Sequence, residues 1–207
     1  MIVKTVPVSQ YLTTNTYFYI DENNKKGFLI DPAAEAEYLL QIIEENNWKI
    51  EKILLTHGHF DHIGAVQQIA KTLRIPYLIH AQGAQYLSNP QFNLSAMTPE
   101  PIVLKQAQYL EDGDLISRDD GKSRGLRVIY TPGHTLDSVV YYDKDNNIAF
   151  VGDTIFKDSY GATHFPGGDF DTLMNSIKNK ILTLPDKTLL YSGHSEPTTV
   201  EAEKNNF

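Results

Sequence analysis

Hydrophobic and polar positions change period several times along the chain, and each change marks an element. Residues 2–8, 17–20 and 27–31 hold short apolar, β-branched and aromatic runs, which predicts three strands. The pair Asp31-Pro32 ends the third. Over 34–46, Ala36, Leu39, Leu40 and Ile43 recur at helical spacing. Residues 50–55 read as a nearly continuous apolar strand, interrupted only by Glu51 and Lys52. A helix over 62–73 follows, with Ile63, Val66, Ile69, Ala70 and Leu73 on one side, and then a strand over 77–79. The first half therefore predicts a mixed sheet with helices packed against it.

Residues 88–125 are rich in Pro, Gly, Asp and Asn and predict a long loop with short strands at 102–104 and 115–116. Strands follow at 126–130, 138–142 and 148–151, the last two joined by the polar hairpin turn DKDNN. Phe170, Leu173, Ile177 and Leu182 form the stripe of a helix over 169–182. A strand at 188–191 and a short helix over 198–204 complete the chain. Four of these strands run straight into polar clusters: KILLTHGHFDH, RVIYTPGH, IAFVGD and TLLYSGH. Strands that deliver polar groups at one edge are a rigid way to build a site.

Composition narrows the chemistry. A chain of 207 residues, 41% hydrophobic, fits a single domain over 1–207, with room for two similar halves around a full core. It has no cysteine, so disulfides, thiolate metal ligands and a cysteine nucleophile are excluded. A formal net charge of -8, with Lys and Arg scattered, argues against nucleic acid as partner. The first twenty residues have no long apolar core or small-residue cleavage site, and no stretch approaches the roughly 18 apolar residues of a membrane helix. The expectation is a cytoplasmic protein with no membrane association. Periodicity along one chain says nothing about oligomeric state.

Three of the seven histidines fall within residues 57–62, together with an aspartate. His57 and His59 are two apart, which puts both on one face of an extended segment. Asp61 and His62 begin the turn into the helix, and Gly58 permits a tight backbone path. His134, Asp153 and His194 add one group each from the other strand ends. Five imidazoles and two carboxylates make a nitrogen and oxygen donor set that suits zinc, with iron, manganese or cobalt also compatible. Seven donors exceed one tetrahedral ion and match two ions. The division expected is His57, His59 and His134 on the first, Asp61, His62 and His194 on the second, and Asp153 between them. Thr56, Thr131, Thr135, Asp31 and backbone carbonyls are expected to orient the histidines through their other ring nitrogens. His80 is expected to lie outside this set.

Two divalent ions about 3.5–4 Å apart clamp both sides of a hydrolytic displacement and yield hydroxide from bound water near neutral pH. Asp61 is the residue expected to orient that nucleophile and to shuttle a proton to the leaving group. Ser195 follows His194, but nothing in the sequence makes it a nucleophile.

The motifs THGHFDH at 56–62, GH at 133–134, GD at 152–153 and GH at 193–194 together resemble the metallo-beta-lactamase superfamily. The likeness runs from about Val6 to the C-terminus. It implies an α+β fold, a four-layer αββα sandwich of two related halves with metals at one edge, and the division of ligands given above. Within the superfamily the chain is more similar to the glyoxalase II-like branch, through TPGHTLDSVV (131–140), GDTIFKDSYGATHFPGGD (152–169) and SGHSEPTTVEAEKNNF (192–207). By that likeness, Thr198, Thr199, Glu201 or Glu203, and Asn206 belong to a C-terminal helix closing beneath the site.

The sequence also departs from that branch. Nothing here matches the extra helical domain that helps glyoxalase II hold glutathione. Ala162 and His164 stand where that enzyme has a lysine and a tyrosine for glutathione, and the GRTD of short bacterial relatives is missing. GHSEP replaces GHGP and NNF replaces NPF, and Ser195 is expected to tighten the loop of His194. Phe60, Tyr160 and His164 are candidates for substrate contact, with Phe165 beside them.

The function expected is a metal-dependent hydrolase with a binuclear site, acting on a thioester or small ester, with S-lactoylglutathione the first substrate to test. An iron-dependent persulfide dioxygenase or a lactonase fits the same ligands. Beta-lactamase action through a zinc-ligating cysteine is impossible here, and charge disfavours RNA processing. A metal-binding scaffold without activity is the non-enzyme alternative.

Overall fold

Tyr17, Tyr19, Phe28 and Ile30 turn to one face of a sheet and Phe18, Ile20 and Leu29 to the other, and all seven are buried. A strand apolar on both faces needs cover on both faces, so these residues already call for a layered structure. The computed structural model describes residues 1–117 and 125–207; the rest of the predicted 88–125 loop lies outside the described residues.

The first sheet contains β1 (Ile2–Ser9), β2 (Thr13–Ile20), β3 (Lys26–Ile30), β4 (Lys49–Leu54), β5 (Tyr77–His80) and β6 (Gln108–Leu110), in that spatial order. β1 to β3 are antiparallel neighbours, and β3 to β6 are parallel. The second sheet contains β7 (Leu115–Ser117), β8 (Gly125–Tyr130), β9 (Val139–Asp143), β10 (Ile148–Gly152), β11 (Leu189–Ser192) and β12 (Thr198–Thr199), again in sequence order across the sheet. β8, β9 and β10 alternate in direction, and β10 and β11 are parallel. The strands β8, β10 and β11 therefore point the same way, and their C-terminal ends share an edge.

Three apolar cores separate four layers. In the outer core of the first sheet, Phe18, Leu29 and Ile53 meet helices α1 (Ala36–Glu45) and α3 (Val66–Leu73). Between the sheets, Tyr17, Tyr19, Phe28 and Leu54 meet Leu126, Val128, Tyr141 and Phe150. Outside the second sheet, Val140, Val151 and Leu190 meet Leu173, Ile177, Ile181 and Val200. Phe150 is fully buried among the rings of Tyr17, Tyr19 and Tyr191, at centroid distances of 5.3 to 5.6 Å. Truncating such a ring to alanine costs about 3–5 kcal/mol. The architecture is the αββα sandwich expected.

The elements differ from the sequence expectation at five places. The helix read over 62–73 is two helices, α2 (Phe60–Ile63) and α3. Its ladder breaks because the Ala65 N–H donates to the Pro32 carbonyl at 2.9 Å instead of to the preceding turn. The helix read over 169–182 is α5, which runs over Phe170–Ser176 and then widens into a π turn over Ile177–Ile181. Asp169 caps it by accepting the Thr172 N–H at 2.8 Å.

Residues 102–104 form no strand. The Ile102 N–H goes to Ser95 Oγ and the Leu104 N–H to the Leu87 carbonyl, both at 2.8 Å, and the sheet takes Gln108–Leu110 instead. Of the three, Leu104 is buried, Ile102 half-buried and Val103 exposed, and none pairs. The short helix α4 (Gly83–Ser88) is not expected from the sequence, since a run beginning AQGAQ carries little helical signal. Finally, the C-terminal helix is only Val200–Glu203, preceded by β12; α6 begins where the Thr199 hydroxyl accepts the Ala202 N–H at 3.2 Å.

Candidate metal centre

All seven predicted ligand residues meet where the four strand ends converge. The sheets are joined there directly. The Val139 N–H donates to the Thr56 carbonyl at 2.9 Å, and the Asn15 N–H to the Gly193 carbonyl at 2.8 Å. His57, His59 and His134 bring one ring nitrogen each to within 4.8 Å of one another, and so do the donor atoms of Asp61, His62 and His194. His57, His62 and Asp153 form a third such set. The Asp153 carboxylate lies between the first two. Its Oδ2 is 3.6 Å from His134 Nε2 and 3.2 Å from His194 Nε2, and its Oδ1 is 3.4 Å from His62 Nε2.

The outer ring nitrogens are tied to the scaffold, which fixes how each imidazole presents its inner nitrogen. His134 Nδ1 donates to the Ala162 carbonyl at 2.6 Å, and His194 Nδ1 donates to the Thr13 carbonyl at 2.9 Å. His62 Nδ1 donates to Asp31 Oδ2 at 2.9 Å. The Thr56 hydroxyl donates to the same oxygen at 2.6 Å, so it accepts from His57 Nδ1 at 3.2 Å. In each case Nδ1 is held by the scaffold and Nε2 faces inward. Asp31 therefore serves two histidines, as expected of it, while Thr131 and Thr135 do not: they bond the hydroxyls of Thr154 and Ser138.

Two close approaches explain two glycines of the motifs. A Cβ on Gly58 would sit 2.4 Å from Tyr86 Cβ, and one on Gly193 would sit 2.3 Å from Asp153 Oδ1 and 2.7 Å from His62 Cε1. Any larger residue at 193 would occupy the centre itself.

Charge divides the cluster. Burial, reinforced by neighbouring imidazoles, holds His57 well below the ordinary histidine range and His59 down at about 3. Burial also lowers His134. For His62 and His194 burial acts in the same sense, but their carboxylate partners outweigh it. Asp153 and Asp31 raise His62 well above its usual value, and Asp153 and Asp61 raise His194 to about 10. Asp153 is held well below the carboxylate range by His62 and His194 against the opposing effect of burial, and Asp61 is lowered chiefly by its bond to His194.

The donor set fits divalent ions. Nε2 of His57 and His59 are buried with no hydrogen-bond partner, and His62 Nε2 and Asp153 Oδ1, also buried, have only each other at 3.4 Å. His134 Nε2 and His59 Nδ1 face each other at 3.0 Å. Buried polar atoms without partners are costly, and cations at these points would satisfy them.

Beyond the seven, Phe60 lines a cavity of about 500 Å³ that opens from the cluster. Tyr160 and His164 do not line it. The Tyr160 ring packs against Phe170 and Phe207, and His164 lies against Phe165 at 4.1 Å on an exposed loop. Their neighbour Phe165 is the one that faces the cavity. His80 is stacked on Tyr130 at 4.2 Å, apart from the cluster. Ser195 tightens its loop by accepting the Lys157 N–H at 3.0 Å and pairing with the Ser192 hydroxyl at 2.7 Å. At the C-terminus it is Glu203, not Glu201, that is buried, accepting from Thr198, from Asn206 and from the Asp158 N–H.

Sequence reasoning misses Tyr86. Its hydroxyl accepts the Leu136 N–H at 3.0 Å and donates to the Pro166 carbonyl at 2.9 Å, and its ring lies 6.0 Å from that of His59. It ties together three loops that surround the cluster. It sits in the unexpected helix α4, so no motif points to it.

The family model described as the metallo-beta-lactamase superfamily matches residues 11–194. The chain belongs to the metallo-beta-lactamase superfamily. This is a superfamily of metal-dependent hydrolases in general. Among curated proteins, hydroxyacylglutathione hydrolase GloC of Haemophilus influenzae is 31% identical, over 99% of this chain and 95% of that one. Among solved structures, the BLEG-1 B3 metallo-beta-lactamase superposes with a TM-score of 0.91 at 35% identity, covering 99% of this chain and 97% of that chain. TTHA1623, solved in a di-iron-bound form, gives a TM-score of 0.85 at 31% identity, covering 99% and 98% of the two chains. Among the described residues, no helix of this superfamily member is long and apolar enough to cross a membrane.

Proposed function

We propose that this metallo-beta-lactamase superfamily member is a hydrolase with a binuclear metal site that cleaves a thioester or small ester. The observation that carries this reading is the position of Asp153, whose carboxylate lies between two sets of ring nitrogens at 3.2 to 3.6 Å. A carboxylate so placed suits a bridge. His57, His59 and His134 would hold one ion and Asp61, His62 and His194 the other. Zinc is the metal of choice for this donor set, with iron or manganese as alternatives; TTHA1623 binds two irons. Divalent ions held there supply Lewis acidity and lower the pKa of water.

The chain's own groups do the rest. Asp61 borders the cavity and stays ionised, with its Oδ2 3.2 Å from His194 Nε2. It orients the attacking water and carries a proton to the leaving group. Phe60 excludes solvent from the same side. The name of the GloC relative makes S-lactoylglutathione the reference substrate. The acidic charge of the chain supports a small-molecule substrate rather than nucleic acid, and a cytoplasmic setting without membrane association suits such a substrate.

The test is elemental analysis of protein purified without added metal, paired with a panel of thioesters, esters and lactones. Two equivalents of metal with turnover support the reading. A single iron, no hydrolysis, and oxygen uptake with a persulfide overturn it.

A further inference from the structure

We infer that the substrate carries an uncharged apolar arm, which lies in the 500 Å³ cavity beside the histidine cluster, and that the glutathione moiety is not what this cavity recognises. The inference rests on the proposed hydrolase reading and adds the class of substrate.

The cavity has a volume usual for a small-molecule site. Its wall away from the cluster is mostly apolar, built from Leu12, Phe60, Leu94, Met97, Phe156 and Phe165, with the uncharged hydroxyls of Tyr11 and Thr98 its polar groups. The charged carboxylates that line it, Asp61 and Asp153, are both at the cluster edge, and no Lys or Arg lines it among the described residues. Lys157 follows Phe156 in sequence, but it is exposed and its ammonium is paired with Glu196 at 2.9 Å. Glutathione brings two carboxylates. Set against this half-open wall they would lose part of their hydration and find no lysine or arginine, which is unfavourable. A hydrocarbon arm meets no such penalty, and each methylene buried there adds to affinity.

The wall is also preorganised and open to solvent. The Phe60 N–H donates to the Asn93 carbonyl at 2.8 Å, which fixes the 93–98 loop to the segment carrying His59 and Asp61. Asn93 Nδ2 donates to the carbonyls of Tyr86 at 2.9 Å and Ile102 at 3.0 Å. Leu94 is held in the left-handed region, φ 67°, an unusual conformation for a γ-branched residue, and both Leu94 and Met97 of this loop line the cavity. At the rim, Leu12 is 53% exposed and Met97 72%. Apolar side chains left this open beside a polar cluster mark a surface that a ligand covers. The flexible thioether of Met97 suits arms of differing shape.

The experiment uses the full chain loaded with zinc and a series of S-acyl N-acetylcysteamine thioesters from acetyl to decanoyl, with S-lactoylglutathione in parallel. The expected result is that kcat/KM rises about fourfold per methylene until the cavity is filled, and that the longer members exceed S-lactoylglutathione. Met97→Lys is expected to shift the ratio of the two kcat/KM values at least tenfold toward the glutathione thioester. A flat dependence on chain length, or preference for S-lactoylglutathione, overturns the inference while leaving the hydrolase reading intact. Calorimetry with the uncleavable decanoyl analogue, a ketone with a methylene between carbonyl and sulfur, separates the two in the other direction. Binding of that analogue with a negative heat-capacity change supports the apolar site even if no thioester is hydrolysed, and absence of binding overturns it.

Discussion

One carboxylate oxygen, Asp31 Oδ2, receives both His62 Nδ1 at 2.9 Å and the Thr56 hydroxyl at 2.6 Å, and that hydroxyl in turn receives His57 Nδ1. Asp31 sits at the end of β3 in a left-handed conformation, φ 47°, which an aspartate tolerates better than most residues. A single buried side chain thus aims histidines that belong to both proposed ion sites. Asp31→Asn keeps the shape but replaces one accepting oxygen with an amide NH2, which then faces either the Thr56 N–H or the pair formed by His62 Nδ1 and the Thr56 hydroxyl. Metal affinity is expected to fall about 10- to 100-fold, as for other groups that orient metal-binding histidines. Competition with a chromophoric chelator measures it, and unchanged affinity would show that the contact does not control binding.

Asp61→Asn removes the carboxylate next to His194 without changing its volume. If Asp61 handles the proton, kcat drops about 100- to 10,000-fold. Elemental analysis of the same preparation shows whether the loss accompanies retained metal. Full activity in the variant would assign proton handling elsewhere.

Asp137 is fully buried beside Gly58, and neither of its oxygens receives a well-formed hydrogen bond. Burial pushes its carboxyl up to about 7, and the weaker contacts of Thr135 and of the Asp137 and Gly58 N–H groups offset this only in part. The unfolded chain loses this proton near the ordinary value of 3.8. The folded chain therefore holds more protons between about 4 and 7, and stability falls as pH rises through that window. Above it the linked cost is fully present, on the order of a few kcal/mol. Asp137→Asn is expected to raise Tm relative to the unmodified protein at pH 8 and to gain much less at pH 4.5. Thermal melts at the two pH values check this, and an equal difference at both contradicts it.

Tyr86→Phe deletes the hydroxyl that joins the loops of His134 and Pro166. The Leu136 N–H then loses its acceptor, at a cost of about 1–2 kcal/mol. Denaturant unfolding gives the number. Because the lost hydroxyl also ties down the loop that follows His134, a lowered kcat/KM is expected alongside, and an unchanged free energy of unfolding would show that water replaces the hydroxyl.

Much of the centre is legible along the chain. Ligating groups must be particular residue types, and strands that bury both faces leave only their ends for polar groups, so HGHFDH, GH, GD and GH stand out against apolar runs. The same logic reaches Asp31 as a carboxylate at a strand end, where an Asp-Pro pair reads equally well as a turn. It fails for Thr131 and Thr135, which are equally near in sequence but turn to other hydroxyls. It also fails for Tyr160 and His164. Those two share a loop with Phe165, and which of three neighbouring rings faces the cavity depends on how that loop packs against Phe170 and Phe207.

Period, strand ends and donor chemistry are each set by a few adjacent residues, which is why they can be read in order along the chain. The apolar periods give a mixed sheet with helices against it, and the four-layer αββα arrangement comes from the likeness of the motifs to the superfamily. Other features depend on groups distant in sequence and emerge only when the chain is folded. The Pro32 carbonyl splits the helix after Ile63, Ser95 and Leu87 draw 102–104 out of the sheet, and Asp153 comes to lie between histidines from three other strand ends. These outcomes turn on which hydrogen-bond partner wins in a packed interior, and that competition leaves no pattern along the chain.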